Sequence, residues 1–158
     1  MQKRMKDHQL PDEEVTYLLE NAASGVLGTL DADGSPYCVP VHFVYVGRKI
    51  YIHGLTAGEK IENIRRDPRV CFTVYRMGEL LYSAEAKSPC SVNTAYQSVV
   101  VKGSAILVDD PQAKRDILDA VVKKYTPELS CLPMPENAVK QTAVIEITPE
   151  ICTGKYYN

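Results

Sequence analysis

Residues 49–67 read KIYIHGLTAGEKIENIRRD and join a short apolar strand, a glycine-containing turn and a helix in one stretch. Thr56 to Glu59 match the capping-box pattern, which predicts that Thr56 caps the helix and that Glu59 reaches back to the cap. The free N–H groups of a first helical turn favour an anion, and Lys60 adds a full positive charge there. The stretch therefore predicts either a phosphate-binding turn with His53 beside it or an ordinary capped helix with a solvated lysine.

Regular patterns on both sides of this stretch predict a small antiparallel sheet. Asp33-Gly34 is a hairpin signal, and Asp67-Pro68 ends the central helix because the residue before a proline avoids the α region. Strands are predicted at 25–30, 35–46, 49–54, 69–75, 96–108 and 142–148, and further helices at 12–22 and 111–126. Residues 76–95 fit no single pattern. Six strands with helices beside them indicate an α+β protein built on a small antiparallel barrel.

The predicted strand 35–46 is apolar on both faces. One face carries Tyr37, Val39, Val41, Phe43 and Tyr45, and the other carries Cys38, Pro40, His42, Val44 and Val46. We expect one face to fill the interior of the barrel and the other to meet a helix or a second subunit. Pro40 has no N–H to donate to a ladder, so it predicts a sheet edge, a bulge or a neighbour that is not a strand.

Length and charge limit the class of partner. A chain of 158 residues fits one domain, covering 1–158. The formal net charge of −2 gives no general attraction to nucleic acid or anionic membranes, so a small ligand is expected and nucleic acid is not. No apolar run is long enough to span a membrane, and the charged N-terminus lacks the apolar core of a signal peptide. These features predict a cytoplasmic protein with no membrane partner.

The cysteines and histidines offer few candidate sites. Five cysteines without a C-x-x-C pair predict neither a disulfide framework nor a zinc site, and Cys38 and Cys71 lie in apolar runs that predict buried side chains. A metal site would require Cys38, His42 and His53 to converge, which their spacing does not favour, so no metal is predicted. By itself, His53 fits either a hydrogen-bonded structural histidine or a functional one.

Five motifs follow one another along the chain. They are D-G-x-P-Y-x-V-P at 33–40, Y-x-H at 51–53, G-x-K at 58–60, N-x-x-x-x-P at 63–68 and S-V-x-x-x-G-x-A at 98–105. In this combination the chain resembles the pyridoxamine 5'-phosphate oxidase-like flavin-binding split barrels, and within them the Nim-type branch associated with nitroimidazole resistance. The resemblance covers nearly the whole chain. It implies an α+β fold, a six-stranded antiparallel split β-barrel with flanking helices, and a homodimer that binds FMN at its interface.

The residues that the family uses for FMN fall in three segments of this chain. Beside the flavin ring and ribityl chain the resemblance places Pro40, Val41, His42, Ile52, His53 and Gly54. Around the phosphate it places Thr56, Gly58 and Lys60, with Lys60 as the main charge. From the long strand, across the dimer, it places Tyr96, Gln97 and Ser98.

The chain departs from the family's oxidases near the phosphate lysine. Glu59 stands where oxidases of pyridoxamine phosphate usually carry an arginine, and their arginine-rich C-terminal motifs are absent. The resemblance therefore implies an FMN-dependent oxidoreductase that reduces a small acceptor such as a nitroaromatic, with His53 as the catalytic residue that donates a proton or hydrogen bond to it. The alternative is a non-catalytic module that binds flavin or haem for storage, sensing or degradation.

Overall fold

The computed structural model describes residues 6–158, which contain seven strands and four α-helices. The strands are Gly25–Leu30 (β1), Pro36–Val41 (β2), Val44–Val46 (β3), Lys49–Leu55 (β4), Arg69–Leu81 (β5), Asn93–Leu107 (β6) and Thr142–Tyr157 (β7). The helices are Asp12–Asn21 (α1), Glu59–Arg66 (α2), Pro111–Tyr125 (α3) and Glu136–Gln141 (α4). The predicted α+β class, with an antiparallel sheet and flanking helices, is confirmed.

The sheet is open, and its two edge strands, β2 and β3, follow one another in the chain. Its order is β2-β1-β5-β6-β7-β4-β3, so the chain passes from one edge to the other at His42 and Phe43, which we call the crossover. The prediction of one strand over 35–46, and hence of six strands, is wrong because this segment divides into β2 and β3. At the break, the Phe43 N–H donates to the Tyr125 hydroxyl (3.0 Å). The edge position predicted from Pro40 is confirmed, since β2 is an edge strand.

Two apolar clusters hold the sheet and helices together. The larger one fills the inner face of the sheet with completely buried side chains such as Leu27, Ile52 and Phe72, and α1 adds Leu18 and Leu19. Each such side chain contributes about 1.5–3 kcal/mol by leaving water. The smaller cluster joins α3 and α4 to the sheet through Val44, Ile117, Leu118, Val139 and Val144. Together the clusters fix β4 and α3 on either side of the crossover.

Alternate residues of β1, β2, β5 and β6 point away from the core and form what we call the outer face. It contains Val26, Gly28, Pro36, Cys38, Pro40, Arg69, Cys71, Thr73, Tyr75, Ser98, Val100 and Lys102. The prediction that Cys38 and Cys71 are buried is wrong, because both occupy positions of this face and are exposed. The apolar runs around them supply inward-facing neighbours, such as Val39 and Phe72, instead.

The last strands are longer than predicted. β5 extends to Leu81 and pairs with β6 from Asn93 onward, with an irregularity between Met77 and Leu80. β7 pairs with β4 along its first part and with β6 from Ile145 to Tyr157, so it lies inside the sheet and does not end at residue 148. Within residues 6–158, no helix has the length and apolar character needed to cross a membrane.

Candidate functional site

His53 lies near the end of β4 beside the crossover. Val44 of β3 pairs with Tyr51 of β4. Extended by two residues beyond the end of β3, the same register sets His42 opposite His53. As alternation predicts, Ile50 and Ile52 are completely buried while His53 is half-buried on the opposite face. Burial, followed by the nearby His42 and Lys60, lowers the pKa of His53 below its ordinary value. The imidazole is therefore neutral at pH 7, and its buried Nδ1 has no hydrogen-bond partner among the described residues.

Lys60 extends from the first turn of α2 back over Gly54 of β4. A Cβ built on Gly54 would lie 3.3 Å from the Lys60 Nζ and 3.4 Å from its Cε, so the lysine packs where a side chain would stand. Across residues 6–158, no carboxylate forms an ion pair with Lys60. Its charge is therefore available to an anion.

The turn before α2 differs from the predicted capping box. The helix begins at Glu59 after Gly58, whose φ of 124° is strained for residues with a side chain, and no side chain of the described chain caps it. The Gly58 carbonyl instead accepts from the N–H groups of Ile61 (2.9 Å) and Glu62 (3.1 Å). The capping box is therefore wrong: Thr56 and Glu59 are both exposed, and neither blocks the first-turn N–H groups. The end of the helix before Asp67 is confirmed.

Tyr125 at the end of α3 holds the crossover in place. Its hydroxyl lies 2.9 Å from the carbonyl oxygens of Ala23 and Phe43, and it accepts from the Phe43 N–H at 3.0 Å. Its ring stacks on His42 with centroids 4.5 Å apart and an angle of 22° between the planes. Tyr125 thereby fixes the position of the histidine that neighbours His53.

Lys124 adds a second buried cation to this region. Its Nζ lies 4.1 Å from the centre of the Phe43 ring and is buried without a hydrogen-bond partner in the described part of the chain. Burial lowers the pKa of Lys124 to about 8. Sequence reasoning singled out neither Lys124 nor Tyr125 as a site residue. Periodicity within the predicted helix 111–126 does not reveal the contact of Tyr125 with a residue 82 positions away.

The structure brings together two of the three predicted segments. Pro40 and Val41 end β2 and lead directly into His42, while His53, Gly54, Thr56, Gly58 and Lys60 follow one another along β4 and the turn. Ile52 is completely buried in the core, so only its backbone can touch a ligand. Within residues 6–158, no group of three or more His, Cys, Asp or Glu side chains is arranged to hold a metal ion.

The third segment lies elsewhere in the sheet. Ser98 pairs with Lys155 near the end of β7, whereas His53 pairs with Val144 near its start. Tyr96 and Gln97 instead line a separate pocket of ≈ 420 Å³ together with Arg76, Tyr156 and Tyr157. One chain therefore does not place Tyr96, Gln97 or Ser98 beside Lys60.

Comparison with known proteins identifies the family. The family model described as pyridoxamine 5'-phosphate oxidase matches residues 11–156. The chain belongs to this family. No match was found among curated proteins.

Solved structures extend this result. A candidate 5-nitroimidazole antibiotic resistance protein from Bacteroides thetaiotaomicron is 27% identical, with a TM-score of 0.81 over 92% of this chain and 84% of that one. The flavocytochrome Anf3 from Azotobacter vinelandii, 24% identical, has a TM-score of 0.86 over 100% and 72% of the two chains. An FAD and heme binding protein from Mycobacterium smegmatis, 19% identical, has a TM-score of 0.83 over 94% and 72%. The last two show similarity of fold alone, and the resemblance predicted from the motifs is confirmed.

Proposed function

We propose that this protein is an FMN-dependent oxidoreductase that reduces a small acceptor of the nitroaromatic type. The observation that carries the proposal is the group formed by Lys60, Gly54 and His53. Within residues 6–158, Lys60 is a cation without a carboxylate partner, packed against a glycine, and it neighbours a neutral imidazole whose Nδ1 has no hydrogen-bond partner. This group occurs in a chain of the pyridoxamine 5'-phosphate oxidase family.

The phosphate end of FMN fits the first turn of α2. Lys60 supplies a charge, and the first-turn N–H groups that no side chain caps supply hydrogen-bond donors. Glu59 is the opposing feature, because it adds a negative charge to the same turn. It is exposed and forms no ion pair within residues 6–158, so it leaves the charge of Lys60 unneutralised.

The isoalloxazine end fits beside the crossover. Bound FMN supplies the redox chemistry, accepting electrons from a donor and passing them to an acceptor. Pro40, Val41 and His42, together with the backbone of Ile52 to Gly54, would hold the ring and limit the access of water. His53, held neutral by burial, donates a hydrogen bond to the acceptor.

A homodimer completes the site in this proposal. Tyr96, Gln97 and Ser98 lie away from Lys60 in their own chain, so they reach the cofactor only from a partner subunit. The part of β5 that pairs with Tyr96 and Ser98 offers exposed apolar side chains for such an interface, Tyr75 and Met77. All five cysteines are free thiols, as is usual for a protein of the reducing cytoplasm.

The acceptor is proposed from two features. Glu59 and the lack of a C-terminal arginine motif disfavour pyridoxamine phosphate, whose own phosphate needs a second cationic site. The similarity to the candidate resistance protein of B. thetaiotaomicron favours a small nitroaromatic instead.

The cofactor is tested first by spectroscopy and by titration. Purified protein should show flavin absorption or bind added FMN stoichiometrically; a Soret band would move the assignment to the haem-binding alternative, and neither signal would refute both. Lys60→Ala should weaken FMN binding roughly tenfold or more, because a charge-assisted hydrogen bond is lost. Lys140→Ala, an exposed lysine of α4, is the matched control. Equal affinities of the two variants would exclude Lys60 as the phosphate anchor.

The role of His53 is tested by turnover. His53→Ala should retain FMN yet reduce a nitroaromatic acceptor more slowly, roughly 10²-fold for a lost donor to the reacting group. Lys140→Ala again serves as the control, because Lys140 is an exposed residue of α4. Unchanged turnover by the His53 variant would remove this residue from the mechanism.

A further inference from the structure

Two cysteines of the outer face lie on either side of one glycine. Gly28 of β1 is in register with Cys38 of β2 and also with Cys71 of β5, so the three residues form a row across three neighbouring strands. Both cysteines are exposed and reduced. Because Gly28 has no side chain, a gap separates the two cysteine side chains.

One cysteine sulfur and one cysteine side-chain carbon border this gap. A Cβ built on Gly28 would lie 3.6 Å from the Cys38 Sγ and 3.7 Å from the Cys71 Cβ. The Cα atoms of Cys38 and Cys71 are two strand spacings apart, roughly 10 Å, whereas a disulfide needs Cα atoms closer than about 7 Å. The pair therefore cannot close into a disulfide without moving the strands, and it remains a dithiol.

The surroundings favour a complex of net negative charge. The gap opens into a pocket of ≈ 450 Å³ that Lys102 and Arg69 also line, with Glu150 as its acidic residue. Arg69 is neutralised by Asp67, with which it forms an ion pair. Lys102 pairs with Cys71 across the ladder and has no ion-pair partner in residues 6–158, so its charge remains available beside the thiols.

We propose that Cys38 and Cys71 bind one soft monovalent d¹⁰ cation, Cu(I) or Ag(I), in a linear two-thiolate site above Gly28. Soft thiolate ligands select Cu(I), whereas a structural zinc ion requires four protein ligands that this row does not offer. Metal–sulfur bonds of about 2.3 Å span roughly 4.6 Å between the two sulfurs. The proposed site requires the Cys71 sulfur to turn toward the gap by rotation about the Cα–Cβ bond into another staggered rotamer.

Binding balances charge without a redox step. Each thiol loses its proton to solvent, two sulfur–metal bonds form, and the oxidation states of sulfur and metal do not change. Two thiolates around a monovalent ion carry a net charge of −1, which Lys102 complements. The site lies on the outer face, away from Lys60 and His53, and its existence does not depend on FMN.

The test is an anaerobic Cu(I) titration of the full-length protein, in its native assembly, against a chromophoric Cu(I) chelator. One tightly held ion per chain is expected, by titration and by native mass spectrometry, and Zn²⁺ should not displace it. Cys38→Ser and Cys71→Ser should each lower the affinity at least 100-fold, because a linear site needs both sulfurs. The double variant Cys90→Ser/Cys131→Ser, which removes two other exposed thiols, should keep the tight ion.

A variant that retains both thiols makes the test sharper. Gly28→Ala places a methyl group in the gap, and the only tight contact of this methyl group is with the Cys71 carbonyl oxygen at 3.3 Å. The variant should lower Cu(I) affinity at least tenfold. Its circular dichroism spectrum and its FMN binding should stay unchanged. X-ray absorption should report two sulfur ligands and no others. The proposal is overturned if one cysteine variant merely halves the bound copper, if Gly28→Ala keeps wild-type affinity, or if no tight ion binds.

Discussion

Removal of the Tyr125 hydroxyl, which holds the crossover in place, should have an effect on stability that can be estimated from the structure. Tyr125→Phe keeps the ring, and with it the packing against His42, but removes the hydroxyl that accepts from the Phe43 N–H and lies within hydrogen-bond distance of the Ala23 and Phe43 carbonyls. Phe43 is completely buried, so its N–H is left without a partner and without water. The substitution therefore separates the hydrogen bonds of the crossover from its packing.

The expected loss follows from the group left unpaired. An unsatisfied buried backbone donor costs about 1–3 kcal/mol, and a protein of this size loses about 2–4 °C in Tm for each kcal/mol. Urea unfolding of the cofactor-free protein should therefore show Tyr125→Phe to be about 1–3 kcal/mol less stable than wild type, with an unchanged m-value.

The control is Tyr82→Phe, which removes a hydroxyl from an exposed side chain with no hydrogen bond in the described part of the chain. It should change the free energy of unfolding by less than about 0.5 kcal/mol. If the two variants were equally stable, the Tyr125 hydroxyl would not hold the crossover, and the account of how His42 is positioned would fail with it.

Three further predictions concern the cations around the site. Gly54→Ala puts a methyl group 3.3 Å from the Lys60 Nζ. Because Nζ is the end of a flexible side chain, the lysine can move away, so Tm should change little while FMN affinity, measured by titration, falls several-fold. Equal affinity would contradict the packing of Lys60 over Gly54. The pKa of His53, followed by NMR, should lie below its ordinary value and rise in Lys60→Met, because burial and the Lys60 charge both disfavour the imidazolium. Because its pKa is lower in the folded state, the unfolded chain binds more protons at this histidine. His53 therefore contributes stability that is present above its unfolded pKa and is lost as the pH falls through its folded pKa. Burial lowers the pKa of Lys124 to about 8, so the folded chain loses this proton at a lower pH than the unfolded chain does. The free energy of unfolding of wild type should therefore rise relative to that of Lys124→Met between about pH 8 and the ordinary lysine range. Parallel stability curves would show that the Lys124 ammonium is not buried.

The sequence predicted most of the sheet because local patterns determine it. Alternation in residues 49–54 separates Ile50 and Ile52 on one face from His53 on the other, and the structure buries the isoleucines. The hairpin signal at Asp33-Gly34 lies between β1 and β2, which pair. The break at His42 and Phe43 carries no such signal. It depends on Tyr125, far along the chain, whose hydroxyl replaces a strand partner.

The candidate site was predictable only in part. The turn and the start of α2 depend on local residues and were predicted, but the capping box is wrong: Gly58 has a φ of 124°, and no side chain of the described chain caps the helix. Anion binding by this turn stays a prediction. Lys124 and the Cys38–Gly28–Cys71 row depend on strand order and helix packing. Periodicity in one segment cannot show which strands become neighbours.

The crossover also bears on the order in which the chain folds. The hairpins β1–β2 and β3–β4 close over short loops, but the hydrogen bond that joins them to α3 spans 82 residues, and contacts of such long range carry the largest loop-closure cost. We therefore expect the Tyr125 contact to form after the rate-limiting step, so that Tyr125→Phe accelerates unfolding and leaves the refolding rate nearly unchanged. If FMN binds beside His42 as proposed, it recognises only chains that have completed this last step, and flavin loading then reports finished folding.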